Sequence, residues 1–510
     1  MFRRSSGMLL HISSLHGDYG IGSFGKNARE FADLLSKMGF SAWQVLPFGP
    51  VDEHNSPYKC YSAFAGNPYF IDLEILEGKN LLTNEELQEN MRRDNPHVAD
   101  FEFIRETRIN VLKKAYSRID KAYIQKIKGF ENKNAHWLPD YALFMALKKR
   151  YNGVSWQEWE DTDVRLYETE AIELAKKELS SDIMFWKFIQ YEFYIQWTEL
   201  KKYVNSLGIE IIGDMPIYVS DDSADVWSRG ELFSLDKNGR QKRVAGVPPD
   251  YFSADGQLWG NPLYNWTKMK KDDYSWWIKR IEQSLKMFDA VRIDHFRGFA
   301  SYWSVDAKSK TAKDGRWEKG PGMKLFNIVK KTFGNAKIIA EDLGDIDQNV
   351  RDFLAETGFP GMNVMQFGFL GGDNSTHLPH NYIKNSVSYT GTHDNNTTYG
   401  FLSEVSDGLR EFALEYCRLN CNSNWRDGGF YSPSMRAFIT TLWQSTTNLA
   451  IIPIQDLCGF GSDTRMNTPG VAKGNWAFRV TGDILENIDV DWISQLNKTY
   501  ARGNKFLLKK

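Results

Sequence analysis

Eight short apolar stretches punctuate the chain: GMLLHI (7–12), SAWQVLP (41–47), IEIIGDMPIYV (209–219), DAVRIDHF (289–296), AKIIAEDLG (336–344), GMNVMQFGF (361–369), SVSYTGTHD (386–394) and LAIIPIQDL (449–457). They alternate little between apolar and polar positions, as strands buried on both faces of a parallel sheet do. Amphipathic helical patterns such as NAREFADLLSKMG, DYSWWIKRIEQSLKMF and GLREFALEYCRLN lie between several of them. This α/β rhythm predicts a closed (β/α)8 TIM barrel, in which the chemistry belongs at the C-terminal ends of the strands. Several of the stretches end there in polar or charged residues.

The alternation breaks twice. Residues 54–206, between the second and third stretches, hold mainly helical patterns such as EFIRETRINVLKKAYSRIDKAYIQKI. Residues 220–275, between the third and fourth, are rich in Gly, Pro, Asp and Trp. We read residues 1–510 as a single catalytic barrel unit with both segments inserted around its C-terminal mouth. A separate ferritin-like bundle over 100–206 would need repeated E-x-x-H pairs, and none occur there.

Charge narrows the partners. Lys plus Arg is 63 and Asp plus Glu is 65, a net charge of −2. Nothing in this balance draws the chain to nucleic acid or to an anionic membrane. No run of 18 apolar residues is present, and the apolar stretch near the N-terminus is too short for a signal peptide. Cys60, Cys417, Cys421 and Cys458 form neither a C-x-x-C pair nor a disulfide framework. A cytoplasmic setting follows as the expectation. Aromatic residues make up 14% of the chain, and several tryptophans fall in loop-like segments, where a ring needs something to pack on. The apolar C–H face of a sugar is one such surface.

Three stretches end in carboxylates: Asp294 in VRIDHFRGF, Glu341 in IIAEDLG and Asp394 in TGTHDNNTT. An Asp at such a place can simply cap the next helix, but three at different strand tips of one barrel face a shared pocket. Paired carboxylates suit retaining glycosidic-bond transfer. One attacks the anomeric carbon; the other, protonated, serves the leaving oxygen and then the acceptor, at a separation of about 5–5.5 Å. Arg292, two residues before Asp294 on the same strand face, is expected to keep Asp294 ionised as the nucleophile. His295 and His393 stand beside two of these carboxylates and are candidates for sugar hydroxyls.

Longer strings carry a resemblance: GMLLHISSLHGDYGIGSFG, WQVLPFGP, SPYKCYSAFAGNP, GDMPIYVSDDSADVW, VAGVPPDYFSADGQLWGNPLYNW, RIDHFRGF, GRWEKGPG, AEDLG, YTGTHDN and QDLCGFGSDTRMNTPGVAKGNW. The chain resembles the 4-alpha-glucanotransferases (amylomaltases or disproportionating enzymes) of glycoside hydrolase family 77, relatives of the alpha-amylases. The resemblance spans about residues 7–479 and is faint in the helices of 87–206. It implies transfer of a glucan segment from one α-1,4-glucan to the 4-hydroxyl of glucose or another glucan, with no cofactor and no metal. It puts the nucleophile at Asp294, the acid/base at Glu341 and a transition-state-stabilising carboxylate at Asp394. Arg292 and His393 fall on the donor side, Asn395 is a further substrate-binding candidate, and Asp214 is an organising group. Ser56 and Tyr58 fall near the cleft. The resemblance assigns 247–265 to a lid loop, whose Tyr251, Phe252 and Trp259 would line acceptor subsites.

Two positions depart from the family pattern near this machinery. Asn396 stands where Asp is common, a change that would retune donor binding, and Asp306 stands where Pro is frequent. Other readings are weaker. A hydrolase would use the same carboxylates and differ only in letting water compete with the acceptor. A metal barrel using Asp214, Glu341 and Asp394 lacks a lysine base or a ligand series. A non-catalytic glucan binder would not need the four charged groups together. Oligomeric state is open between monomer and simple dimer.

Overall fold

The computed structural model describes residues 2–249, 254–344, 346–420 and 424–505. In chain order its strands are β1 (Ser5–Leu9), β2 (Ala42–Gln44), β3 (Glu210–Met215), β4 (Arg243–Val247), β5 (Gln257–Pro262), β6 (Ala290–Ile293), β7 (Ser301–Asp306), β8 (Arg316–Lys319), β9 (Ile338–Ala340), β10 (Gly361–Val364), β11 (Ser386–Tyr389) and β12 (Leu449–Pro453). Eight of them, one within each apolar stretch, form a parallel sheet in the order β10-β11-β12-β1-β2-β3-β6-β9. The seam between β9 and β10 is bridged where Ala340 N–H donates to Pro360 O at 2.9 Å. Met362 N–H, on the same seam, donates to the Asp342 carboxylate at 2.7 Å. The sheet is therefore a nearly closed (β/α)8 barrel.

Alternation within each strand decides what faces the barrel axis. Leu9, Ile212, Ala290, Ile339, Val387 and Ile451 form one buried cluster. Their neighbours Met8, Ile211, Val291, Ile338 and Ile452 belong to the larger cluster that includes the helices. Continuing the axial row by steps of two leads from Ile212 to Asp214, from Ala290 to Arg292 and Asp294, and from Ile339 to Glu341. The inward pattern thus changes from aliphatic to charged at the C-terminal mouth.

Helices cover the outside for ordinary reasons. Lys26–Met38 buries Ala28, Phe31, Ala32, Leu35 and Met38 along one stripe. It stops at Gly39, whose φ of 83° is left-handed and lets its N–H reach Leu35 O. Between β2 and β3 the chain is mainly helical, ending in the 27-residue helix Ser180–Ser206. Its buried Gln190 takes both the N–H and the C=O of Gly66, at 2.7 and 2.9 Å, and Gln196 accepts from Asp72 N–H at 2.8 Å. These bonds satisfy an irregular buried backbone that runs on from Tyr58.

The 220–275 segment holds more regular structure than its composition suggested. It contains β4 and β5, which join β7 and β8 in a four-stranded antiparallel sheet of order β5-β4-β7-β8. Trp259 therefore sits on a strand. Asp306 ends β7 and its Oδ1 accepts from Lys308 N–H at 2.9 Å, capping the turn that follows.

Candidate active site

Arg292 is the hub of the mouth. Its side chain is 4% exposed. Nη1 donates to both carboxylate oxygens of Asp214, at 2.8 and 2.6 Å, and Nη2 donates to Asp294 Oδ1 at 3.0 Å. Asp214, fully buried, also accepts from Tyr58 Oη at 2.8 Å. Such a planar fork fixes two carboxylates at once in a way that a lysine would not. Replacing Asp214 by alanine leaves a buried guanidinium with half its partners; a loss of about 3–5 kcal/mol is expected in denaturant unfolding, with activity falling as Asp294 loses its aim.

After β6 the chain turns abruptly. His295 adopts φ 47°, a left-handed conformation that costs a non-glycine residue about 1–2 kcal/mol. The turn directs two backbone N–H groups at the neighbouring strand end: His295 N–H donates to Glu341 Oε2 at 2.5 Å, and Phe296 N–H donates to Glu341 O at 2.9 Å. Leu343 N–H adds a bond to Glu341 Oε1 at 2.9 Å. The strained turn therefore ties the Asp294 tip to the Glu341 tip across the β6–β9 pair. Trp259 meets the His295 ring edge-on, with centroids 4.8 Å apart.

On the opposite wall Tyr58 stacks on His393 at 5.1 Å and 13°, and Trp476 tilts against both rings. His393 Nε2 lies 3.3 Å from Asp394 Oδ2. Asn467 Nδ2 donates to Asp394 Oδ1 at 2.6 Å, and Arg465 Nη2 donates to the backbone oxygen of Asp394 at 2.5 Å. Asn395 turns its Oδ1 to the N–H and hydroxyl of Thr392, both at 2.9 Å, so it also shapes this loop. Beneath it, buried Asp456 accepts from Thr398 N–H and Oγ1 and from Thr390 Oγ1.

These walls enclose an open cleft of about 950 Å³. Ser56, Tyr58, Trp259, Arg292, Asp294, His295, Glu341, His393, Asp394 and Asn395 all line it, whereas Asp214 supports it from behind Arg292. Tyr251 and Phe252 lie outside the described residues. Trp476, Asn467 and Arg465 were not singled out from the sequence, although the string that contains them was. Asn396 points elsewhere: its Nδ2 donates to Glu404 Oε1 and Ser462 Oγ, at 2.7 and 2.9 Å. An aspartate there would face Glu404 with like charge. Among the described residues Asp214, Glu341 and Asp394 do not gather ligand atoms for a metal; the one grouping that does is Asp52, Glu53 and His54, partly to fully exposed.

Burial governs the protonation of this site. It pushes Asp294 up to about 8; Arg292 pulls downward, and Glu341, Asp214 and Asp394 push upward. Glu341 is raised too, again by burial first, against Arg292 and its two backbone donors. Arg292, expected to keep Asp294 ionised, does pull it downward, but its guanidinium also gives two bonds to Asp214, and burial outweighs it. Burial thus makes both Asp294 and Glu341 hold a proton more tightly than isolated carboxyls would. Burial lowers His393, and lowers His295 to about 3, so both rings are neutral.

This arrangement can be set beside known proteins. The sequence profile of the 4-alpha-glucanotransferase family, glycoside hydrolase family 77, matches residues 10–485. The chain belongs to that family. It is an enzyme of glycosyl transfer. A 4-alpha-glucanotransferase of Clostridium butyricum is 45% identical, over 97% of this chain and all of its own. One from Thermus thermophilus is 42% identical over 94% and 95% of the two chains. Among solved structures, an amylomaltase from Streptococcus agalactiae in complex with acarbose is 40% identical, superposes with a TM-score of 0.94 and covers 98% of this chain and 100% of its own. An amylomaltase from Corynebacterium glutamicum, 17% identical, shares the fold with a TM-score of 0.79 over 96% of this chain and 74% of its own.

Proposed function

We propose that the cleft performs a retaining double displacement on α-1,4-glucans, with Asp294 as nucleophile and Glu341 as acid/base. The observation that carries this assignment is the asymmetry of the two carboxyls: Arg292 Nη2 is aimed at Asp294 and not at Glu341. A neutral Asp294 would forfeit that charge-assisted bond, so the proton is best placed on Glu341 when a donor is bound. Asp294 attacks the anomeric carbon while Glu341 gives its proton to the departing 4-oxygen. The severed glucan leaves with a free 4-hydroxyl, and its remainder stays as an ester on Asp294. Glu341, now ionised, deprotonates the 4-hydroxyl of glucose or of another maltooligosaccharide, which breaks the ester and restores both groups. Asp394, held by Asn467 and Arg465, faces the developing positive charge on the donor ring. His393, neutral, offers a hydrogen bond to a sugar hydroxyl. No step needs a cofactor.

Water competes with the acceptor for the same intermediate. Trp259, on β5 and against His295, supports an acceptor sugar by stacking and excludes solvent. Trp259→Ala should therefore lower transfer about tenfold more than hydrolysis; an unchanged ratio removes Trp259 from the acceptor site. The reading as a whole is tested by chromatography of the products formed from pure maltotriose. Glucose, maltopentaose and a ladder of longer glucans are expected. Glucose and maltose alone would make the protein a hydrolase. Among the described residues no helix is long and apolar enough to cross a membrane, and the unpaired buried thiols Cys417 and Cys458 suit the cytoplasm. Either a monomer or a simple dimer could carry out this chemistry, since every group it uses comes from one chain.

A further inference from the structure

The string GRWEKGPG contributes nothing to the cleft just described, yet it places the exposed Trp317 on β8. Cross-strand partners share a face of a sheet. The registers Leu258↔Gly246, Gly246↔Trp303 and Trp303↔Trp317 therefore draw one row across all four strands. Trp259, next in sequence to Leu258, points to the opposite face and into the cleft. At one end of the row, Trp317 is 41% exposed. Its ring rests on the Arg297 guanidinium, 4.0 Å from the centroid, and meets Trp303 edge-on at 5.2 Å. Trp303 is itself fixed by Nε1–H to Ala312 O at 2.8 Å. The indole is thus braced behind and at one edge, with its other face toward solvent.

Polar groups surround it. Asp347 Oδ2 lies 3.7 Å from Arg297 Nη2, and Ser301 and Lys319 form the next cross-strand pair on the same face. A flat, braced, exposed aromatic ring with a carboxylate, a hydroxyl and an ammonium nearby is complementary to a pyranose: apolar C–H groups on the ring, hydroxyls at its rim. Arg297, which carries Trp317, is two residues from His295, which contacts Trp259, so the two tryptophans flank a single turn.

We propose that Trp317 and its braced surroundings form an auxiliary binding platform, outside the catalytic cleft, for a glucose unit of a long α-glucan chain. The proposal rests on the glucanotransferase reading and adds to it a reason for long substrates to bind better than short ones. It predicts that Trp317→Ala and Trp317→Leu, the latter keeping apolar bulk over Arg297 and Trp303, weaken retardation of the native protein in amylopectin-containing gels about three- to tenfold, as loss of one stacking contact would. Turnover of maltotriose in the cleft, which Trp317 does not line, should be unchanged. Should the leucine variant be retarded like the wild type, or lose maltotriose turnover in parallel with binding, the platform is overturned. A wild-type protein that disproportionates maltotriose but is not retarded by amylopectin would also overturn it, leaving the glucanotransferase reading intact. Failure with every glucan would instead sink that reading.

Discussion

Asp294→Asn is expected to abolish turnover of maltodextrins, by about four orders of magnitude in kcat, while leaving glucan affinity near that of the wild type. The size follows from the removal of the only group proposed to form the covalent ester; an amide cannot take the anomeric carbon, and transfer and hydrolysis disappear together. The same substitution should stabilise the fold. Burial, with the neighbouring carboxylates, raises Asp294 in the folded protein to about 8, well above its value in the unfolded chain. The folded state therefore binds the proton more tightly, and stability falls as pH rises from about 4 toward about 8. Asparagine carries no such penalty and still accepts from Arg292. Thermal melts at about pH 5 and about pH 8 should show an advantage for the variant that is small at the lower pH and grows at the higher one. A variant less stable than wild type at both pH values would mean that the carboxylate's bond to Arg292 outweighs its desolvation.

Glu341→Gln separates the two halves of the reaction. With natural glucans the 4-oxygen must leave protonated, and kcat should fall about a thousandfold or more. An α-glucosyl fluoride needs no proton, so formation of the ester on Asp294 should survive. The intermediate should then accumulate and be visible as a mass increment on the protein, because no base remains to activate the acceptor. Because burial raises Glu341, the alkaline limb of the wild-type profile of kcat/KM belongs above the ordinary carboxylate range. That limb should vanish for the fluoride with the variant. If the fluoride also fails to react, the acid/base is another residue.

Much of this site was legible in the chain because closed-barrel strands are buried on both faces and stop where charge begins. The alternation that puts Ala290, Arg292 and Asp294 in one row is local, so three residues of sequence suffice to see it. What escaped depends on contacts between distant segments. β4 and β5 are short and carry Gly246 and Gly260; β5 pairs only with β4, and β4 finds its other partner in β7 about 60 residues on, so periodicity did not announce them. Arg465 and Asn467 come from a loop with no repeat to read, although they fix Asp394 from the far side. How far Arg292 offsets the burial of Asp294 was hidden for a similar reason. Arg292 stands two residues before Asp294, whereas Asp214, which competes for the same guanidinium, lies on another strand. Asn396 shows the reverse: adjacent to the site in sequence, its side chain belongs to the contact with Glu404.

The small antiparallel sheet has a practical consequence for engineering. Its β4–β5 hairpin carries Trp259, while its β7 strand begins two residues after the turn Phe296–Phe299 that follows Asp294. The Trp259 hairpin and the strand that leaves the Asp294 turn are hydrogen-bonded into one panel, so a hairpin borrowed from a relative would arrive without the strands that set its pitch. Chimeras aimed at altering product length should exchange residues 243–319 as one cassette, with crossovers in the helices on either side.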